Sequence, residues 1–131
     1  RNNTETISPV KNPHTIAHAI ENPFPPSGNE VLKRIKKNNG TFVAVTDGEI
    51  IQAQKQLLKT GIFAQPSSAV PLAAVKKLKA QTFFNENDSV VCIITGGGLK
   101  DSTIFKNSDL NIINSGLEYF NDLPSVELKN F

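Results

Sequence analysis

Three short runs of apolar, β-branched residues constrain this chain most. They are Thr41-Phe42-Val43-Ala44-Val45-Thr46, Ile62-Phe63-Ala64-Gln65 and Ser89-Val90-Val91-Cys92-Ile93-Ile94-Thr95. Each has the length of a strand, and none alternates cleanly between apolar and polar residues. Continuous runs of that kind suit strands covered on both faces, as in parallel sheets. The stretches between them carry a helical period instead: Ile50, Ile51, Ala53, Leu57 and Leu58 in one, Leu72, Val75 and Leu78 in the next. Strand, helix, strand, helix, strand in sequence predicts parallel pairing through right-handed crossovers. The expected fold class is α/β, a parallel sheet with flanking helices.

Local punctuation sets the expected boundaries. Residues 1–13 are polar, carry two prolines and read as a lead-in loop, and residues 13–131 read as a single α/β domain. His14 to Ile20 is a short helix candidate, stopped by Asn22-Pro23-Phe24-Pro25-Pro26. Ser27-x-x-Glu30 has the form of a capping box, followed by Val31, Leu32 and Ile35 on one helical face, with Gly40 as the expected stop. Thr46-x-x-Glu49 is a second capping box, and Gly61 ends its helix. Pro66-Ser67-Ser68 opens the next helix, where the serines suit N-caps and Pro71 falls in the first turn. Residues 102–131 are weakly patterned, with Leu117, Tyr119 and Phe120 as candidates to dock the tail.

Composition excludes several function classes. Fourteen Lys+Arg against 12 Asp+Glu leave a net charge of +2, too little for a strong field toward nucleic acid or an anionic membrane. No apolar run approaches the roughly 18 residues of a spanning helix. One cysteine cannot form an internal disulfide, and Cys92, mid-run among Val and Ile, is expected to be buried and slow toward thiol reagents. His14 and His18 have metal-compatible spacing, yet no third ligand follows, so no metal site is expected. Lys33 to Lys37 read as a solvated helix face. The sequence holds no methionine and begins Arg1-Asn2-Asn3, from which we expect a piece of a longer protein.

In open parallel sheets, ligands sit beyond the carboxyl ends of the strands. The turn Thr95-Gly96-Gly97-Gly98 follows the third run directly and is the first candidate site. Its glycines let backbone approach a ligand closely. It lacks the third glycine of a dinucleotide fingerprint, and Lys100 is not followed by Ser or Thr as in a P-loop. On the residues alone, a ligand site and a glycine-filled corner stand level. No Ser/His/Asp arrangement suggests nucleophilic catalysis.

Several segments together resemble the C-terminal part of the threonine synthase family, pyridoxal-phosphate enzymes of fold type II. Thr95-Gly96-Gly97-Gly98-Leu99-Lys100-Asp101 resembles the motif Thr-Gly-x-Gly-Leu-Lys-Asp and is the most specific. Gly61-Ile62-Phe63-Ala64-Gln65-Pro66-Ser67-Ser68-Ala69 is similar to Gly-Ile-Phe-x-Glu-Pro-Ala-Ser-Ala, with Gln65 where the family usually has Glu. Thr46-Asp47-Gly48-Glu49-Ile50 looks like the step Val-Ser/Thr-Asp-x-Glu-Ile, and His14 to Ala17 with Asn22-Pro23 is similar to a helix and loop of the large domain, the loop being shortened here.

The resemblance implies the C-terminal half of a large cofactor domain. It implies that Thr95 hydrogen-bonds the cofactor's pyridine nitrogen, that Gly96, Gly97 and Gly98 turn beneath the ring, and that Asp101 steadies the turn. Gln65 and Asn22 become weaker candidates for substrate contact. The Schiff-base lysine and the phosphate loop are expected upstream of Arg1, so no catalytic residue is assigned in this chain and Lys100 is not that lysine. The implied reaction converts O-phospho-L-homoserine and water to L-threonine and phosphate. The implied setting is a cytoplasmic homodimer acting on a small amino-acid phosphate, with this chain alone inactive and poor at holding the cofactor. Threonine dehydratase and cysteate synthase relatives, or a non-catalytic α/β ligand-binding module, stand as alternatives.

Overall fold

The computed structural model describes residues 6–101. The tail-docking expectation for Leu117, Tyr119 and Phe120 lies outside them. Three helices carry this region: α1 (Gly28–Lys37), α2 (Asp47–Lys59) and α3 (Pro66–Ala80), with short 3-10 turns at His18–Ile20 and Gly98–Lys100.

Helix α2 starts where its sequence specifies. The Thr46 side chain accepts the Glu49 N–H at 3.3 Å, and the Glu49 carboxylate accepts the Thr46 N–H at 2.6 Å. Orphan donors are thus satisfied reciprocally. The expected box at Ser27 does not form. Ser27 has φ −93° and ψ 11° and makes no side-chain cap, while Glu30 pairs with Arg34 at 2.8 Å one turn on. Once the cap residue leaves the extended region, its hydroxyl no longer reaches the orphan N–H groups.

All three helices end in the same device. The residue after the C-cap is left-handed, at Asn39 (φ 51°), Gly61 (φ 83°) and Thr82 (φ 52°). The next N–H then reaches back to Ile35, Leu57 or Leu78, at 2.8, 3.0 and 3.1 Å. These are Schellman endings. The expected stop at Gly40 moves by one residue, because Asn39 takes the left-handed position.

The short helix expected from His14 to Ile20 shrinks to its final turn. Side chains hold the segment before that turn in a non-helical loop. Glu21 accepts from Thr15 at 3.0 Å, Asp47 from Ile16 at 3.3 Å, and the Thr15 hydroxyl from Ala17 at 3.2 Å. Such local bonds compete directly with helix formation. The Thr15 hydroxyl also donates to Asp47 at 2.6 Å, pinning this loop to the start of α2.

The core lies between α2 and α3. Ile50, Ala53 and Leu57 pack with Ala69 and Ala73, joined by Ala17 and Ala64, and Ile16, Val45, Val70, Leu72 and Ile94 pack around them. Alanine at the contact lets the helix backbones approach closely. Gln54 is buried among these residues and donates from Nε2 to the Ala64 carbonyl at 2.7 Å. Lys77 of α3 reaches Glu49 of α2 at 3.2 Å on the rim.

The expected parallel sheet is not formed among the described residues. Among the described residues the three apolar runs form no ladder, and the one bridge pairs Ala64 with Gly97 in antiparallel sense. Exposure along residues 41–45 and 91–94 still has a period of two. Thr41, Val43 and Val45 are half-buried while Phe42 and Ala44 are exposed, and Cys92 and Ile94 are half-buried while Val91 and Ile93 are exposed. β-Branched composition selects extended backbone locally, whereas a ladder needs a second segment in register. The first and third runs each cover one face, with Val45 and Ile94 packed on the core, and leave the other open. Cys92 is accordingly half-buried rather than enclosed.

Candidate functional site

Residues 63–68 and 95–98 meet at the start of α3. The Gln65 N–H donates to the Gly96 carbonyl at 3.1 Å, and the Gly98 N–H donates to the Phe63 carbonyl at 2.9 Å. These two bonds frame the Ala64–Gly97 bridge. Gln65 caps α3 through its extended backbone, its carbonyl accepting the Ser68 and Ala69 N–H groups at 3.0 and 3.2 Å.

The glycines are there for space. None of the three adopts a positive φ among the described residues. A Cβ on Gly98 would fall on the Phe63 ring, and one on Gly96 would fall on the Gln65 amide. Gly97 differs, since its Cβ would come no nearer than 3.9 Å, to the Phe63 carbonyl oxygen. The close approach that the glycines permit is therefore to the chain's own interior at Gly96 and Gly98.

Thr95 is exposed, and its hydroxyl stands 3.1 Å from that of Ser68. Ser68 is 1% exposed and its hydroxyl also accepts the Gly96 N–H at 2.8 Å. The serines that the sequence suggested as N-caps do not cap. Gln65 takes the cap and Pro66 the first position of α3, so Ser68 is the third helical residue, and its hydroxyl bonds the glycine turn. Its position in the helix was legible; its target is contributed by a segment 27 residues away.

Thus Thr95, Gly96, Gly97, Gly98 and Gln65 come together. Asn22 is used in its own loop, where its side chain accepts the Phe24 N–H at 3.0 Å. Asp101 follows the 3-10 turn, its N–H donating to the Gly98 carbonyl at 3.1 Å, and its charge adds to the raising of the His18 pKa. The two histidines flank a carboxylate: His18 Nδ1 is 2.9 Å and His14 Nδ1 3.9 Å from Glu21. The hydrogen bond to Glu21 is the largest cause of the raised His18 pKa, and its converse lowers that of Glu21.

The family described as "Pyridoxal-phosphate dependent enzyme" matches residues 2–96, which span α1 to α3 and end within the glycine turn. The chain belongs to this family. Its cofactor is pyridoxal phosphate, and membership implies a domain of fold type II. The threonine synthase of Methanocaldococcus jannaschii is 44% identical over 102 residues, covering 77% of this chain and 25% of the relative. That of Methanosarcina acetivorans is 41% identical over 96 residues, covering 72% and 24%. That of Synechocystis is 34% identical over 121 residues, covering 92% and 30%. The chain therefore spans about a quarter of the length of the curated relatives it matches. No helix among the described residues is long and apolar enough to cross a membrane.

The donor set fits one end of the cofactor. A neutral hydroxyl on an exposed residue, hydrogen-bonded to the buried Ser68, suits a pyridine nitrogen. Gly97, whose Cβ position is open, leaves room there for a flat ring.

Proposed function

We propose that this chain is the C-terminal part of a threonine synthase, which converts O-phospho-L-homoserine and water to L-threonine and phosphate in a cytoplasmic homodimer. One observation carries the reading: Thr95 is an exposed residue whose hydroxyl is held at 3.1 Å by that of the buried Ser68. When bound, pyridoxal phosphate withdraws electrons from the substrate's α-carbon. The chain's own part is to hold the ring's nitrogen end. Thr95 donates one hydrogen bond to that nitrogen. Being neutral, it leaves the nitrogen unprotonated, where an Asp would favour a pyridinium.

Gly96 and Gly98 let the turn pack tightly against Gln65 and Phe63, and Gly97, whose Cβ position is open, leaves space for the ring beside Thr95. Gln65 borders the substrate side through its amide. The rest of the enzyme chain supplies the lysine and the phosphate-binding loop, and this chain alone is inactive. A single neutral hydrogen bond contributes about 0.5–1.5 kcal/mol net, against roughly 8 kcal/mol for micromolar binding.

The test uses the full-length protein of the natural gene, assayed for phosphate release and threonine formation from O-phosphohomoserine. The expected result is both products in equal amounts. Deamination of threonine instead would move the assignment to a dehydratase. The 131-residue chain, reduced with borohydride in the presence of pyridoxal phosphate, is expected to give no stoichiometric adduct on one lysine.

A further inference from the structure

We infer that Ser68 is a positioning residue that sets the direction of the Thr95 hydrogen bond. The inference rests on the reading that Thr95 meets the cofactor's ring nitrogen. A hydroxyl has one proton and two lone pairs. The Ser68 oxygen accepts the Gly96 N–H at 2.8 Å, which occupies one lone pair. Its proton must also find an acceptor, because Ser68 is 1% exposed and buried polar groups are hydrogen-bonded. Thr95 Oγ1, at 3.1 Å, is the acceptor its hydroxyl reaches among the described residues.

Of the two hydroxyl protons, only one can lie between the two oxygens. If Thr95 donated inward, the buried Ser68 proton would be left without an acceptor. The satisfied arrangement has Ser68 donating to Thr95, which frees the Thr95 proton to point outward. Thr95 then offers a donor rather than a lone pair, the polarity an unprotonated pyridine nitrogen requires. The same oxygen anchors the Gly96 amide, and the Gly96 carbonyl accepts the Gln65 N–H at 3.1 Å. Ser68 thereby fixes both the rotor of Thr95 and the peptide that follows it.

The test is a double-mutant cycle in the full-length enzyme with S68A, T95V and S68A/T95V, and with S68C as the near-isosteric second variant. Two quantities are read: the dissociation constant of pyridoxal phosphate from the apoenzyme, and the ¹⁵N chemical shift of the labelled cofactor's ring nitrogen. We expect S68A to weaken binding about three- to tenfold when Thr95 is present and to shift the ring nitrogen signal. In the T95V background the loss should shrink and the signal should not move further.

An equal loss in both backgrounds, with the ring signal unmoved by S68A, would reduce Ser68 to a structural role and overturn the inference. If T95V weakens binding and S68A does not, the inference fails while the reading of Thr95 stands. If T95V itself changes neither quantity, the reading of Thr95 fails and the inference falls with it. If S68A and S68C both fail to fold, Ser68 serves the fold, which also overturns the inference.

Discussion

The Phe63 ring occupies the space that a Cβ on Gly98 would need, while the Gly98 N–H donates to the carbonyl of the same phenylalanine at 2.9 Å. Backbone and side chain of one residue thus clamp the glycine turn from two directions. Gly98→Ala forces the ring aside and should cost about 1–3 kcal/mol of stability. Gly97→Ala meets no such neighbour, and with φ −75° and ψ 155° it should be neutral or stabilising by up to about 1 kcal/mol. The check is the denaturant midpoint of each variant. A Gly97 variant as damaged as the Gly98 variant would contradict the clamp.

Thr82 closes α3 in the left-handed region at φ 52°, an unusual place for a β-branched residue. Among the described residues its hydroxyl donates to the neighbouring Gln81 carbonyl, at 2.7 Å. Thr82→Gly and Thr82→Asn should each stabilise the protein by on the order of 1 kcal/mol by relieving this conformation. Thermal melting decides it, and a lower midpoint in both variants would rule the strain out.

Glu49 has its pKa lowered, first by the Thr46 N–H and then by Lys77. A carboxylate favoured in the folded state stabilises above its unfolded pKa, and the contribution is lost as pH falls through the lower folded value. Glu49→Gln keeps an acceptor for the Thr46 N–H but removes the charge. The wild-type advantage over this variant should be present at neutral pH and vanish in acid. A gap that stays constant down the acid limb would contradict the charge effect.

His18 has its pKa raised, chiefly by the Glu21 hydrogen bond. The sign is opposite: the pair stabilises below the ordinary histidine pKa and is lost as pH rises through the raised folded value. In an NMR titration, Glu21→Gln should bring the His18 midpoint down. An unmoved midpoint would remove Glu21 as the cause.

Much of this protein is written locally in its sequence. The capping box at Thr46, the stop at Gly61 and the helical period of Ile50, Ala53 and Leu57 depend on contacts a few residues apart, and they form as read. The grouping of Thr95 and its glycines was equally legible, since four consecutive residues cannot be separated. Tertiary structure decided the rest. The helical period of α3 was read on Leu72, Val75 and Leu78, yet Ala69 and Ala73 are the α3 residues in the core with α2, because close helix approach rewards small volume rather than hydropathy. The helix at His14 yielded to Asp47 and Glu21, carboxylates reached through the fold or at its far end. Extended runs were visible in β-branched composition, but pairing is a relation between two segments and left only Ala64 opposite Gly97 among the described residues. Ser68 looked like a helix cap. Its work is done on Thr95, because the hydroxyl bonds whatever the fold brings within about 3 Å.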